Sequence, residues 1–201
     1  MTFGLALAFA LFGLTFRGPR ARFWQRMTRT GLALGGLALA AEPQLRRTRV
    51  RLRDVLVGLG SAGLLYGVFQ IGDRLARRML PKGGDEIGAI YGLETLRPRP
   101  ELAARLAFII GPAEELFWRG LVQARLTRQF GALPGYIMGT AAYGGAHIVT
   151  GNLTLIAAAT VAGAFWGVLA ALGVPPGALI VSHSAWDVFT FLVAPTTRRS
   201  G

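Results

Sequence analysis

The sequence predicts an all-α fold, a polytopic membrane bundle of about six to eight transmembrane helices. Hydrophobic residues make up 52% of the chain and charged residues only 16%, against about 25% charged residues in soluble domains. The apolar residues are gathered in long runs separated by short polar stretches. Because each membrane-spanning helix needs about 20 residues, 201 residues suffice for one compact membrane domain. They leave no room for a second sizeable soluble domain.

Basic residues lie mainly between the apolar runs. The formal net charge is +12, and only one of the 22 basic residues is a lysine, Lys82. The arginines cluster at 17–29, 46–53 and 74–82, a pattern typical of loops that face an anionic cytoplasmic leaflet. No RNA-binding motif interleaves aromatic residues with these arginines. We therefore predict the lipid bilayer as a partner and no nucleic acid.

The apolar runs fall near residues 2–16, 31–41, 54–72, 101–124, 133–149, 153–172 and 176–194. The first run has its basic residue, Arg17, after it, the reverse of a cleavable signal peptide. We expect it to be the first membrane segment. The second run is too short to span a bilayer by itself. We expect either that snorkelling arginines lengthen it or that it lies in the membrane interface.

The polar stretch 81–100, rich in Gly and Pro, predicts the main internal boundary within a single integral membrane domain over residues 1–201. Residues 1–80 form N-terminal membrane segments flanked by arginines, and 81–100 form a polar connector. Residues 101–194 form a four-helix core. The connections inside this core are very short, so we expect its neighbouring helices to be antiparallel.

Ionisable residues well inside the apolar runs are confined to the C-terminal half. They are the three acids Glu114, Glu115 and Asp187 and both histidines of the chain, His147 and His183. An ionisable group at that depth costs on the order of 3 kcal/mol and is expected to face a polar cavity or a partner. Their joint occurrence on neighbouring segments predicts a functional site.

The spacing of these residues places them in pairs on helix faces. Residues four apart share one face of a helix, and the pairs are Glu115 with Arg119, Tyr143 with His147, and His183 with Asp187. Antiparallel packing would bring the three faces around one cavity. We also expect Gly111-Pro112 to kink or restart the helix. A restart would place Glu114 and Glu115 in a first turn, where free N–H groups favour carboxylates.

This polar set supports amide hydrolysis by two routes. A carboxylate and an imidazole can together remove a proton from water, while a second imidazole and other donors stabilise an oxyanion. Alternatively, Glu114, His147 and His183 could hold a metal ion such as zinc, which also generates hydroxide. The motifs G-x-S-x-G and H-E-x-x-H are absent, as is any cysteine. The sequence therefore lacks the serine-hydrolase elbow and the zincin motif, and cysteine nucleophiles are excluded.

Three motifs resemble those of the CPBP intramembrane proteases, the CAAX-protease and bacteriocin-processing family. The segment EELFWR resembles its motif E-E-x-x-x-R. YGGAH resembles F-x-x-x-H with Tyr143 in the Phe position, and HSAWD resembles H-x-x-x-N or D. The motifs occur in the family's order on successive apolar segments, and the resemblance covers residues of about 101–194.

The resemblance implies an intramembrane endopeptidase that hydrolyses a peptide bond of a membrane-associated protein or peptide. It implies that Glu114 and His147 activate water and that Glu115 and Arg119 support them. The family was first described as metalloproteases and is now regarded as glutamate-dependent, so no cofactor is expected.

The resemblance also implies that His183 and Asp187 stabilise the oxyanion. An asparagine at position 187 could donate a hydrogen bond, whereas an ionised aspartate only accepts. Asp187 would then accept from His183 and hold it as an imidazolium. Alternatively, a protonated Asp187 would itself donate.

Three functions are compatible with these residues. The first is the endopeptidase, and the second is a non-catalytic family member that acts as an immunity or scaffold protein. The third is an ion or proton carrier that uses Glu/His relays. The abundance of Arg and Ala with a single Lys suggests a GC-rich genome, and the expected location is a bacterial plasma membrane.

Overall fold

The computed structural model describes residues 2–79 and 83–195, and every regular element in them is helical. Eight helices follow one another. They are α1 (Thr2–Phe16), α2 (Phe23–Ala41), α3 (Leu52–Met79), α4 (Gly83–Tyr91), α5 (99–130), α6 (Ala132–Ala146), α7 (Leu153–Ala171) and α8 (Pro176–Val188), the last continued by a π-helical segment, Phe189–Val193. The predicted all-α class is confirmed. Lys82 lies outside the described residues.

Three of these helices are long and apolar enough to cross a membrane. They are Leu52–Leu75 in α3, Leu153–Ala171, and Pro176–Val193. Large apolar side chains of α3, among them Leu56 and Leu64, are exposed on the bundle surface, as expected for a surface that contacts lipid. The chain is thus an integral membrane protein, and the total of six to eight spans stays a prediction.

Helix α2 is longer than its apolar run. It begins at Phe23 and is 19 residues long, so that Arg26 and Arg29 lie in its first turns. Its buried residues recur three or four apart, as an amphipathic helix requires; they include Met27 and Leu34. Of the two expectations for this segment, the lengthened helix is the one that the structure contains.

Helix α5 is continuous through Gly111-Pro112, so the predicted restart is wrong. Ile110 and Gly111 both have helical backbone angles (φ −71°, ψ −58° and φ −56°, ψ −50°). A π-helical segment, Leu106–Ile110, comes directly before them. In a regular α-helix the ring of Pro112 would clash with the carbonyl four residues earlier. The wider π turn offers a local change of pitch that accommodates the ring without ending the helix.

The polar stretch 81–100 contains a helix, α4, that the sequence analysis did not predict. Its anchors are polar contacts to two other helices: Glu86 Oε2 accepts hydrogen bonds from the backbone N–H and the hydroxyl of Thr154. Trp24 Nε1 donates to the carbonyl of Leu93 just beyond α4. The connector therefore packs against α2 and α7.

The chain crosses the bundle back and forth, so its connections gather at two opposite ends. We call the first end the one that contains α4 and the 3₁₀ turn His147–Thr150, where Arg17 Nε donates to the Val149 carbonyl. The second end contains the 3₁₀ turn Pro43–Arg47 and the C-terminus of α5. The connections between α5, α6, α7 and α8 are as short as predicted, and each turns at a glycine with positive φ.

Candidate active site

A cavity of about 440 Å³ opens at the first end of the bundle. Its polar lining includes Glu114, Tyr143, His147, His183 and Asp187, which come from α5, α6 and α8 and from the 3₁₀ turn after α6. All five are buried, with at most 7% of their surface exposed. The predicted convergence on one cavity holds for the Tyr143/His147 and His183/Asp187 faces. It is wrong for the Glu115/Arg119 face, which lines a different space, and α5 contributes Glu114 to this cavity instead.

Tyr143 connects Glu114 to His147. Its phenolic hydroxyl donates to Glu114 Oε2 over 2.8 Å, and its backbone carbonyl lies 2.9 Å from His147 Nδ1. Because a carbonyl oxygen only accepts, Nδ1 carries the hydrogen of this bond. The Nε2 atom of a neutral His147 is then the nitrogen that can accept a proton.

Glu115 holds His183 from outside this cavity. Its Oε1 atom lies 2.7 Å from His183 Nδ1 and also accepts a hydrogen bond from Arg119 Nη1 at 3.0 Å. Arg119 Nη2 in turn donates to the carbonyl of Gly163 on α7 at 3.2 Å. The predicted Glu115–Arg119 pair is thus a buried ion pair that joins α5, α7 and α8.

Asp187 does not form the hydrogen bond with His183 that the i, i+4 spacing suggested. Asp187 Oδ2 is 3.7 Å from His183 Nε2, and Glu114 Oε2 is 3.9 Å from the same atom. Both distances exceed a direct hydrogen bond. The reason is that His183 directs its Nδ1 atom across to Glu115 on another helix. Its Nε2 atom therefore lies between the two carboxylates.

The sequence analysis missed Trp166 of α7, whose ring stacks on His183 with centroids 3.8 Å apart and planes at 16°. It also missed Phe12 of α1, whose ring meets the His147 ring edge-on at 5.1 Å. Neither residue belongs to a motif or lies near a charge in the sequence. Only the folded arrangement of the helices identifies them.

Two π-helical segments, Leu106–Ile110 and Leu116–Gln123, flank the turn that carries both glutamates. Such segments occur frequently at functional sites because they change the direction of side chains within a helix. Glu114 lines the cavity, whereas Glu115 lies behind His183. Neighbouring carboxylates thus have separate surroundings.

No group of three or more His, Asp or Glu side chains within 2–79 and 83–195 is arranged to hold a metal ion. The candidate ligands Glu114, His147 and His183 share the cavity lining. Each has another partner: Tyr143 for both Glu114 and His147, and Glu115 for His183. This arrangement fits acid–base chemistry by side chains.

The fold is that of a polytopic membrane protein whose carboxylates and imidazoles line one buried cavity, an arrangement that marks a candidate functional site. Residues 100–189 match a family described as Rce1-like, type II CAAX prenyl endopeptidase Rce1-like. This match confirms the resemblance to the CPBP intramembrane proteases. It spans every predicted site residue. No curated protein and no solved structure matches the chain.

Proposed function

We propose that the chain is an intramembrane endopeptidase that hydrolyses a peptide bond of a membrane-associated protein or peptide, in the plasma membrane of a bacterium. The observation that carries the proposal is the arrangement of Glu114 and His147 on one buried cavity, both bound by Tyr143. The family match supports the same chemistry.

In this proposal Glu114 and His147 activate a water molecule. Either the carboxylate or His147 Nε2 accepts its proton as its oxygen attacks the carbonyl carbon of the scissile bond. The proton then passes to the leaving nitrogen as the C–N bond breaks. The hydrogen bond from Tyr143 fixes the Glu114 carboxylate in the cavity, so the base is positioned before the substrate binds.

His183 stabilises the oxyanion. Its Nδ1–H is bound by Glu115, which leaves Nε2 facing the cavity between Glu114 and Asp187. An imidazolium donates from both nitrogens, and nearby carboxylates favour that charged form. Asp187 thus supports His183 by its charge. Glu115 and Arg119 are positioning residues that hold the ring from behind.

The substrate is an apolar, membrane-associated segment. Aromatic and aliphatic side chains form most of the cavity lining away from the polar residues, among them Phe16, Phe23, Trp24 and Phe191. Burying such apolar surface contributes about 25 cal/mol per Å² to binding. An apolar peptide or a lipid group attached to it would therefore bind here.

The test replaces Glu114 with Gln and compares membrane peptides from the wild-type and variant strains. We expect uncut substrate to accumulate in E114Q, because glutamine keeps the shape of the side chain and cannot accept the proton. The matched control is E101Q on the same helix, where Glu101 pairs with Arg105 away from the cavity. Membrane-peptide profiles that do not differ between the wild type and E114Q would contradict the endopeptidase function, and a biological activity that E114Q leaves intact would favour a non-catalytic scaffold or immunity role.

A further inference from the structure

A second cavity, of about 360 Å³, opens at the other end of the bundle. It lies between the 3₁₀ turn Pro43–Arg47, the second half of α5, the connection Gly173–Pro176 and the start of α8. Its polar lining comprises Gln44, Glu115, Arg119 and Arg128. A water molecule occupies about 30 Å³ in the liquid, so the space holds on the order of ten of them.

The two cavities come closest where polar residues line both of them, and a single hydrogen bond connects their linings at that place. Glu114 and His183 line the first cavity, and Glu115 and Arg119 line the second. The bond between His183 Nδ1 and Glu115 Oε1, 2.7 Å long, crosses from one to the other. The hydrolytic site is thus the point where openings from opposite ends of the bundle come closest.

Glu115 has unused capacity to bind water. Its Oε1 atom accepts from Arg119 and His183, while Oε2 is buried without a hydrogen-bond partner among the described residues. A buried carboxylate oxygen needs a donor, and ordered water commonly satisfies such groups. Oε2 has almost no accessible surface in this arrangement, so water from the second cavity reaches it only when a neighbouring side chain moves.

Peptide hydrolysis consumes one water molecule for each bond cut. Its oxygen forms the new C–O bond, the C–N bond breaks, and its protons end on the two products. The first cavity is where an apolar substrate would sit, and such a substrate displaces water from the apolar walls. A separate supply of water from the other end would keep the site active while the first opening is blocked.

We propose that the second cavity is the water-entry route of the hydrolytic site, with the Glu115–Arg119 pair as its inner barrier. Water enters at the second end and passes this pair when either side chain moves, reaching the space beside His183 and Glu114. The purpose of this route, the supply of water for hydrolysis, rests on the proposed endopeptidase function. The second cavity and the Glu115–Arg119 pair are features of the structure that do not depend on that function.

The first test uses the absence of native cysteines. Ala170 lines the second cavity and Ala158 lines the first, and both are on α7. Single variants A170C and A158C are treated in oriented vesicles with a charged, membrane-impermeant methanethiosulfonate reagent on one side at a time. V50C marks the second end and A21C the first, because both positions are exposed.

We expect A170C to react from the side where V50C reacts, and A158C from the side where A21C reacts. Modification of A170C only from the first-end side, or from neither side, overturns the proposal. This result does not depend on proteolytic activity. A chain that cleaves nothing but shows the expected labelling would contradict the endopeptidase function and leave the water route in place.

The second test fills the cavity. A170F places a ring in the second cavity, whereas A171F places the same ring on the exposed face of the same helix. We expect A170F to lower kcat about tenfold, equal to about 1.4 kcal/mol, with KM unchanged because the substrate cavity is untouched. A171F should match the wild type. If A170F turns over as fast as A171F while E114Q is inactive, the water route is wrong and the endopeptidase stands.

Discussion

Tyr143 donates a 2.8 Å hydrogen bond to Glu114 Oε2, and its own backbone carbonyl binds His147. One residue therefore positions both Glu114 and His147, the two side chains that are proposed to activate water. The side chain enters the site from α6, one helical turn before the histidine. Glu114 is the hydrogen-bond partner that the buried Tyr143 hydroxyl needs.

Removing the phenolic oxygen in Y143F should leave a folded, active protein. A hydrogen bond to a charged group contributes about 1.5–3 kcal/mol, so we expect a lower thermal midpoint. Cleavage should persist because Glu114 keeps its charge and its place on the cavity. Unfolding in detergent and steady-state cleavage measure the two effects. Loss of cleavage as complete as in E114Q would contradict a purely positioning role.

Removing Arg119 should destabilise the protein strongly. In R119M the buried Glu115 carboxylate loses a partner at 3.0 Å, and breaking a buried pair in this way costs about 3–5 kcal/mol. The measurement is the thermal midpoint in detergent. The double variant E115Q/R119M removes the stranded charge and should recover part of the loss. Equal midpoints for the single and double variants would show that the pair contributes no electrostatic stability.

Glu42 should make stability depend on pH at the second end. Its Oε1 atom accepts from Arg125 at 2.6 Å and from Arg128 at 2.7 Å. The hydrogen bond from Arg125, above all, lowers the pKa of Glu42 below its ordinary value of 4.5. A group whose pKa is lowered on folding stabilises the fold above its unfolded pKa and loses this effect as the pH falls through the folded one.

The variant E42Q should therefore unfold at a lower temperature than the wild type at neutral pH. The difference should shrink as the pH falls below about 4.5, because the wild-type carboxylate is then protonated first in the unfolded chain and, at still lower pH, in the folded protein. D85N replaces an exposed acid at the opposite end and serves as control. Its unfolding temperature should equal that of the wild type at each pH. A constant difference across the acid range would assign the effect of E42Q to packing instead.

Gly35 and Gly36 offer a matched test of how closely α2 approaches the site. A Cβ atom on Gly35 would lie 3.0 Å from the Ala113 Cβ and 3.3 Å from its Cα, whereas one on Gly36 would meet nothing within 4 Å. G35A should push α2 away from the residue before Glu114 and lower both the thermal midpoint and the cleavage rate. G36A should be neutral or stabilising by up to about 1 kcal/mol. Equal effects of the two substitutions would contradict this close packing.

Chelation should leave cleavage unchanged if side chains alone activate water. The assay compares the purified protein before and after a strong chelator, with metal analysis of the same sample. A loss of activity that zinc restores would assign the water activation to a metal held by Glu114, His147 and His183.

Much of the fold could be predicted because a helix that crosses lipid must satisfy its backbone hydrogen bonds internally. Such a helix appears in the sequence as an apolar run long enough to span the bilayer. The boundaries of α1, of α7 and of α8 together with its π-helical continuation lie within one or two residues of those runs. The gathering of His147, His183 and Asp187 with Glu114 was also predictable, since isolated ionisable groups are costly in a membrane.

The contacts between helices were harder to predict because they depend on how each helix is rotated. The spacing of His183 and Asp187 suggested a partner one turn away, but the short bond of His183 goes to Glu115 on α5. Trp166 gave no signal because a tryptophan in an apolar run is an ordinary packing residue. The π-helical segments of α5, which set the direction of both glutamates, have no distinct sequence pattern.

The neighbouring glutamates make α5 unusually sensitive to changes in chain length. Each residue turns an α-helix by about 100°, and Glu114 and Glu115 line different cavities. Deleting Ala113, which lies between the π segment and the two glutamates, would rotate Glu114 and Glu115 by about that angle relative to the helix before them. Such a deletion would leave hydropathy almost unchanged and every motif intact, yet it would turn Glu114, the proposed base, away from the cavity in which water is proposed to be activated.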